Sequence, residues 1–319
     1  MNSADQTRSF AEDFFERFEP VSAQRHGTWS WQPFNSYGFA RGYVSVPIVL
    51  AELNPVAGTL PILFEQIDSA RGPQAGLRPV ALLHLADPTA RVVSDSGAWQ
   101  AFYVPGALRI HPFACDLRPD STPDSMPETL HLDPQSACLS PTPGPRGTGH
   151  GRLFDLTGTP TEAFHAIQSF FGHYQASLRS TLAASRALWQ AGVLKPARMQ
   201  DLPGPGYYTA DRAALSRLSG PRLEELFRSE AVALALAQIL SLQKIAQMKQ
   251  RAGVPQPGSR AQGNTAQGDT AQDGMGQTAA QEAAQGSAQI SGHPPALTPF
   301  LDAMARAYET DKDEIFFKT

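Results

Sequence analysis

Between Phe164 and Trp189, apolar side chains recur on one helical face: Phe164, Ile167, Phe171, Tyr174, Leu178, Leu182 and Trp189. A stripe of that length folds only against a body broad enough to cover it. Thr159-Pro160-Thr161-Glu162 stands in front of it in capping-box form, with threonine at the cap, proline at the first helical position and glutamate three residues after the cap. Gly192 and Pro196 close the stripe, and Lys195 lies near its end. The spacing predicts one helix of about 30 residues, long for a globular chain.

Ahead of Thr159 the pattern differs. Gly42 to Leu53 is an apolar run with one proline. Leu60–Gln66, Arg78–Leu85 and Arg91–Ser94 read as strands, rich in Val, Ile, Leu and Phe. Asp95-Ser-Gly97 has turn chemistry. Phe102–Val104 and Pro112–Leu117 are further strand candidates, with a helical turn at Gly106–Ile110 between them. Thr129–Leu132 and Arg152–Leu156 are shorter ones. Seven prolines between Pro119 and Pro145 predict a long surface loop with one strand in it.

Behind the long helix, Gly206–Ala210 reads as a strand. Asp211 caps a short helix Arg212–Leu218, Pro221 opens Arg222–Arg228, and Glu230–Arg251 follows as a helix. Its first half, Ala231 to Leu242, is apolar on nearly every face and is expected to be buried. The predicted fold class is therefore α+β: a β-rich N-terminal half, then a helical half built on one long helix.

The ends of the chain have their own character. Phe10, Phe14 and Phe18 recur every fourth residue among Glu12, Asp13, Glu16 and Arg17, which predicts an amphipathic helix over 1–19 that docks on the body or on a partner. The α+β domain is expected over 20–251. Between Arg251 and Ile290 there are eight Gln, seven Gly and no aromatic residue, with a five-residue repeat from Ala261. Such a tract buries too little to offset its chain entropy, so 252–295 is expected to be a disordered linker. Residues 296–319 regain Leu297, Phe300, Leu301, Met304 and Tyr308 at helical spacing, a short C-terminal helix that docks on its own domain or on a partner.

Charge and cysteine narrow the function classes. With 26 basic and 30 acidic residues the chain carries no basic excess for a phosphate backbone, so nucleic acid is not expected as a partner. Cys115 and Cys138 form no Cys-x-x-Cys, and they read as two free thiols, with a single bridge between them as the alternative. The N-terminus lacks the basic and apolar regions of a secretory signal. Ala231 to Leu242 is shorter than the roughly 20 residues a bilayer span takes, so no transmembrane segment is expected. The default location is cytoplasmic, with non-classical export to the cell surface as the alternative.

No nucleophile elbow, P-loop, dinucleotide fingerprint or zinc-protease motif is present. His165 and His173 lie about 12 Å apart along a helix, too far to share a metal. One Glu-x-x-His, Glu162 to His165, falls short of a di-iron set. No catalytic residue, metal or cofactor is assigned. What remains are polar residues inside apolar stretches: Arg41, Glu52, and Arg109, His111 and Asp116 within the dense run from Trp99. Arg41 or Arg109 paired with Glu52 or Asp116 makes a structural ion pair. The sharper reading makes Arg41, Glu52, Arg109 and His111 an anion or carboxylate pocket with His111 titrating.

Several stretches resemble, in order, the bacterial SapC family. They are Ser22-Ala-Gln-Arg-His26, Phe39-Ala-Arg-Gly42 with Ser45-Val-Pro47 and Ala51-Glu52, Pro61-Ile-Leu-Phe64, and Pro79-Val-Ala-Leu-Leu83. Tyr103-Val-Pro105 with Leu108-Arg109 and Pro112-Phe113 follow, then Arg152-Leu-Phe-Asp155 with Gly158, and Ser241-Leu242. The resemblance covers roughly 20–242. It implies a surface-layer-associated or envelope-related structural or accessory role, with self-association or an envelope protein as partner, and it brings no catalytic residues. The alternative is a cytoplasmic small-molecule-binding protein or enzyme using the pocket just described. Two departures stand out. His111 occupies a place where the family often has an aromatic. Glu230 occupies one where it often has glycine, and the last two helices are therefore expected to fuse.

Overall fold

The computed structural model describes residues 10, 17–32, 34, 36–67, 76–114, 130–142 and 151–252. The expectations for the linker from residue 253, for the tail, and for Cys115 and Asp116 fall outside those residues.

In chain order the strands are β1 (Glu19–Pro20), β2 (Ser30–Trp31), β3 (Ser45–Pro47), β4 (Ile62–Gln66), β5 (Leu77–Leu82), β6 (Phe113–Ala114), β7 (His131–Leu132), β8 (Leu139–Ser140), β9 (Gly151–Arg152), β10 (Leu194–Pro196) and β11 (Tyr207–Ala210). The helices are α1 (Ala23–His26), α2 (Leu53–Ala57), α3 (Gly106–Arg109), α4 (Glu162–Gln190), α5 (Arg212–Ser216), α6 (Gly220–Arg228), α7 (Ala231–Ser241) and α8 (Gln243–Arg251). The protein is α+β, with most of its strands in the first half and its longer helices in the second, which also lends β10 and β11 to the main sheet.

The main sheet is antiparallel, in the order β10-β11-β4-β5-β3. Its interior strand β5 is buried at every position, because it lies between β4 and β3 and α4 packs on it. Pro79 sits within this strand. The ladder with β3 pairs Pro47 with Val80, so the next rung would join Ile48 to Pro79. Ile48 N–H donates to the Pro79 carbonyl at 3.2 Å, but proline has no N–H to return, and β3 ends there. Two further sheets are three-stranded, β1-β7-β6 and β8-β2-β9.

The long helix begins two residues later than the capping box predicts. Thr161 is the cap, and its hydroxyl accepts the Phe164 N–H at 3.3 Å. Thr159 belongs instead to the turn before it, where Asp155 accepts the N–H groups of Thr157 and Thr159. Gly192, at φ 66°, ends the helix as expected. The buried face of α4 carries Phe164, Ile167, Phe171, Tyr174, Leu178 and Leu188. Each such side chain removed from water contributes about 1.5–3 kcal/mol.

Two expected strands are absent as strands. Arg91–Ser94 contributes only the isolated bridges of Arg91 with His84 and Val93 with Trp99, and Phe102–Val104 is irregular. The last helices do not fuse. Ser229 and Glu230 separate α6 from α7, and Glu230 adopts the left-handed backbone that glycine favours, at φ 59°. Beyond it, α7 and α8 meet at Leu242. Counted together, Ala231–Arg251 reaches the length of a membrane span, with a mean hydropathy of 1.3 over an 18-residue stretch of which 39% is buried; the apolar run Ala231 to Leu242 alone is too short.

At the N-terminus Phe10 is buried, edge-on to Tyr43 at 5.3 Å and 6.2 Å from Phe18. Phe10 and Phe18 thus pack on the body of their own chain, and Phe14 lies outside the described residues.

Candidate functional site

Glu52 lies at the meeting point of three segments. It ends a 3-10 turn, Leu50–Glu52, and it is 3% exposed. That turn is fixed to the long helix from outside. Leu50 N–H donates to Thr181 Oγ1 at 2.8 Å, and Ala51 N–H to Ser177 Oγ at 3.1 Å. Ser177 and Thr181 are one helical turn apart on α4, so a single stripe of that helix satisfies two donors the turn itself leaves over.

The Glu52 carboxylate collects donors from both sides. Oε1 accepts the Val49 N–H at 3.2 Å. Oε2 accepts the Gly106 N–H at 2.6 Å and the Tyr103 hydroxyl at 3.1 Å. Gly106 opens α3, and a Cβ there would meet Tyr174 at 3.3 Å and Glu52 Oε2 at 3.4 Å, so the backbone can come this close only with little to spare. Arg109, at the end of α3, stands 4.0 Å from Glu52 Oε2 and donates to the Tyr103 oxygen. Its guanidinium carbon lies 4.6 Å from the centre of the Tyr103 ring. Tyr103 therefore stands between the two charges, accepting from Arg109 and donating to Glu52.

The electrostatics follow from this placement. Burial pushes the Glu52 carboxyl up, while the Gly106 N–H, Arg109, the Val49 N–H and Tyr103 pull it back. Burial and then the nearby Glu52 charge push the Tyr103 hydroxyl up, so it remains a phenol able to donate. The centre is a closed hydrogen-bonded relay, Arg109 to Tyr103 to Glu52, and its geometry shapes the junction of α4, the 3-10 turn and α3.

The other polar residues singled out in the sequence lie elsewhere. Arg41 pairs with Asp95 at 2.8 Å, on the turn that also binds Arg91. His111 stacks on Phe39, ring centres 3.8 Å apart and 10° from parallel, and its Nε2 hydrogen-bonds Ser136 Oγ at 2.8 Å. These two line a separate concavity of about 400 Å³ with Arg17, Phe34, Asp133 and Cys138. Burial, and then the charge of Arg17, hold His111 far below its ordinary value, at about 3, so the ring is neutral near pH 7. Cys138 is a free thiol, pushed up by burial. Glu52 and Arg109 thus come together, Arg41 and His111 do not join them, and Asp116 lies outside the described residues.

Several working residues were not among the candidates drawn from the sequence. Arg17, expected on a solvated helix face, pairs with buried Asp133. Arg78 pairs with Glu65 at 2.9 Å. Gln238, fully buried on α7, accepts the Ala210 N–H at 2.9 Å and donates to the Ile62 carbonyl at 3.1 Å. The pairing of Tyr207 with Glu65 and Tyr208 with Phe64 runs on towards Ala210 and Ile62. Gln238 thus supplies the rung where β4 and β11 part. Ser241 Oγ accepts the Ile62 N–H at 2.8 Å. The signal for these two was their isolation as polar residues in an apolar run. Among the described residues no group of three or more His, Cys, Asp or Glu side chains gathers as a metal site would.

Compared with known proteins, the SapC family model matches residues 21–248, and the chain belongs to that family. No curated protein and no solved structure matches it.

Proposed function

We propose that this SapC-family chain is a non-enzymatic structural or accessory protein of the bacterial envelope, acting by association rather than by turnover. One observation carries the reading. The charged residues that most resembled an active site meet one another: the Glu52 carboxylate is met by Val49, Gly106, Tyr103 and Arg109, and none of these contacts calls for a ligand. An active-site acid needs one face open to a reacting atom; Glu52 is 3% exposed. The surface-layer association implied by the family agrees with such a role.

The test is to separate cells that express the full chain into cytosol and envelope and to measure the mass of the chain in each. The reading predicts an envelope-bound fraction or a self-associated species. A chain that is wholly cytosolic and wholly monomeric overturns it.

A second reading, small-molecule binding, is favoured by the concavity beside His111. Its imidazole is neutral and its Arg17 is paired with Asp133, so the lining carries little net charge. That suits an uncharged polar ligand better than the anion the sequence suggests. A thermal-shift screen of small amides, alcohols and carboxylates separates the two, and no shift from any of them removes this reading.

A further inference from the structure

Among the described residues, one face of α7 is apolar and uncovered. Leu236 and Leu240, one helical turn apart, are 46% and 66% exposed. On α6, which packs against α7, Phe227 is 73% and Leu223 39% exposed. A lone exposed leucine calls for no explanation, but an i,i+4 pair on each of two touching helices does. Farther on, the same stripe runs into exposed Gln243 and Gln247 on α8, so the apolar part ends at Leu240.

The chain carries an occupant of matching pattern. Leu297, Phe300, Leu301, Met304 and Tyr308 fall at i, i+3, i+4, i+7 and i+11, a spacing that on a helix would make one stripe about 16 Å long. We infer that this segment docks on the α6–α7 face of its own chain. Anchors at this spacing laid on an apolar helical face are a recurrent recognition mode.

Reach and concentration both favour the chain's own tail over a second copy. The tether leaves from Ala252 at the end of α8, which continues α7. Roughly 40 Gly- and Gln-rich residues intervene, and a tract of that composition spans about 35 Å. That exceeds the length of α8, about 14 Å, and the spacing of packed helices, about 8–10 Å. A tether in this range holds its end at about millimolar effective concentration, above the micromolar range in which a second copy competes.

The experiment places a benzophenone amino acid at Leu236 in the full chain and irradiates it. The expected product joins position 236 to the peptide spanning residues 297–308 within one chain, in a yield that does not change with protein concentration. Phe300→Glu together with Leu301→Glu abolishes that product and leaves the far-ultraviolet circular dichroism of the body unchanged. The same probe at Phe227, already on the surface, gives an independent reading if the first position disturbs folding. Products joining two chains, products at any other segment, or no protein product at all overturn the inference.

Discussion

Tyr103 does at the residue scale what a direct ion pair would otherwise do. With 4.0 Å between Arg109 and Glu52, the phenol oxygen accepts from one and donates to the other. Tyr103→Phe removes both bonds and keeps the ring, so the buried Glu52 carboxylate loses one donor and the partly buried Arg109 loses one acceptor. We expect a loss of about 2 kcal/mol in urea unfolding, more than a single neutral hydrogen bond contributes. His111 gives a pH signature. Its folded value is depressed to about 3, against an ordinary 6.5. A group depressed on folding contributes stability that is present above its unfolded value and lost as pH falls. One proton's share, about 1.4 kcal/mol per pH unit, is therefore lost from about pH 6.5 towards 3. His111→Phe keeps the stack on Phe39 and removes the titration. Unfolding midpoints measured between pH 4 and 7 are expected to fall less steeply for that variant than for the parent. Glu52 and Arg109 were legible in the sequence because a charge inside an apolar run demands a partner. Tyr103 was not, since a tyrosine in such a run reads as packing. The partner of Arg41 was hidden as well, because Asp95 looked only like a turn residue.

The elements record how far periodicity carries. The length of α4 and its glycine stop were legible from its stripe, as were β4, β5 and β11 from their Val, Ile, Leu and Tyr content. The cap was not, because Thr159 and Thr161 both precede an acceptable first turn. The choice fell to Asp155, which draws Thr159 into its own turn. Arg91–Ser94 has strand composition but only isolated bridges, so its apolar side chains face the core without a ladder. The separation of α6 from α7 was masked by Glu230, which holds a left-handed backbone with a non-glycine side chain. Glu230→Gly relieves that conformation and is expected to raise stability by about 1 kcal/mol, read as an upward shift of a few degrees in Tm. Gln238→Leu is close in volume but strips the inserted rung from Ala210 and Ile62. Leaving two buried backbone groups unmet is expected to lower unfolding stability by about 2–3 kcal/mol.

For the whole molecule, the α+β class and the SapC membership were both legible, the second because an ordered set of weak motifs is far more specific than any one of them. Several of those motifs now have physical roles. Glu52, Tyr103 and Arg109 close the central relay, Ser241 holds Ile62, and Asp155 with Gly158 shapes the turn before α4. They hold the sheet, the 3-10 turn and the long helix in one arrangement. What could not be read from the chain was convergence: four polar residues at separate sequence positions suggest one pocket until the sheet and α4 sort them into a closed centre, a surface pair and a concavity. The central claim is that the Glu52–Arg109 centre is a structural lock. A urea-unfolding double-mutant cycle on Glu52→Gln, Arg109→Gln and their combination tests it most directly. The account predicts a loss of about 2–4 kcal/mol for each single variant, with the combined loss smaller than their sum because the two share partners. Single variants that unfold at the same urea concentration as the parent would contradict it.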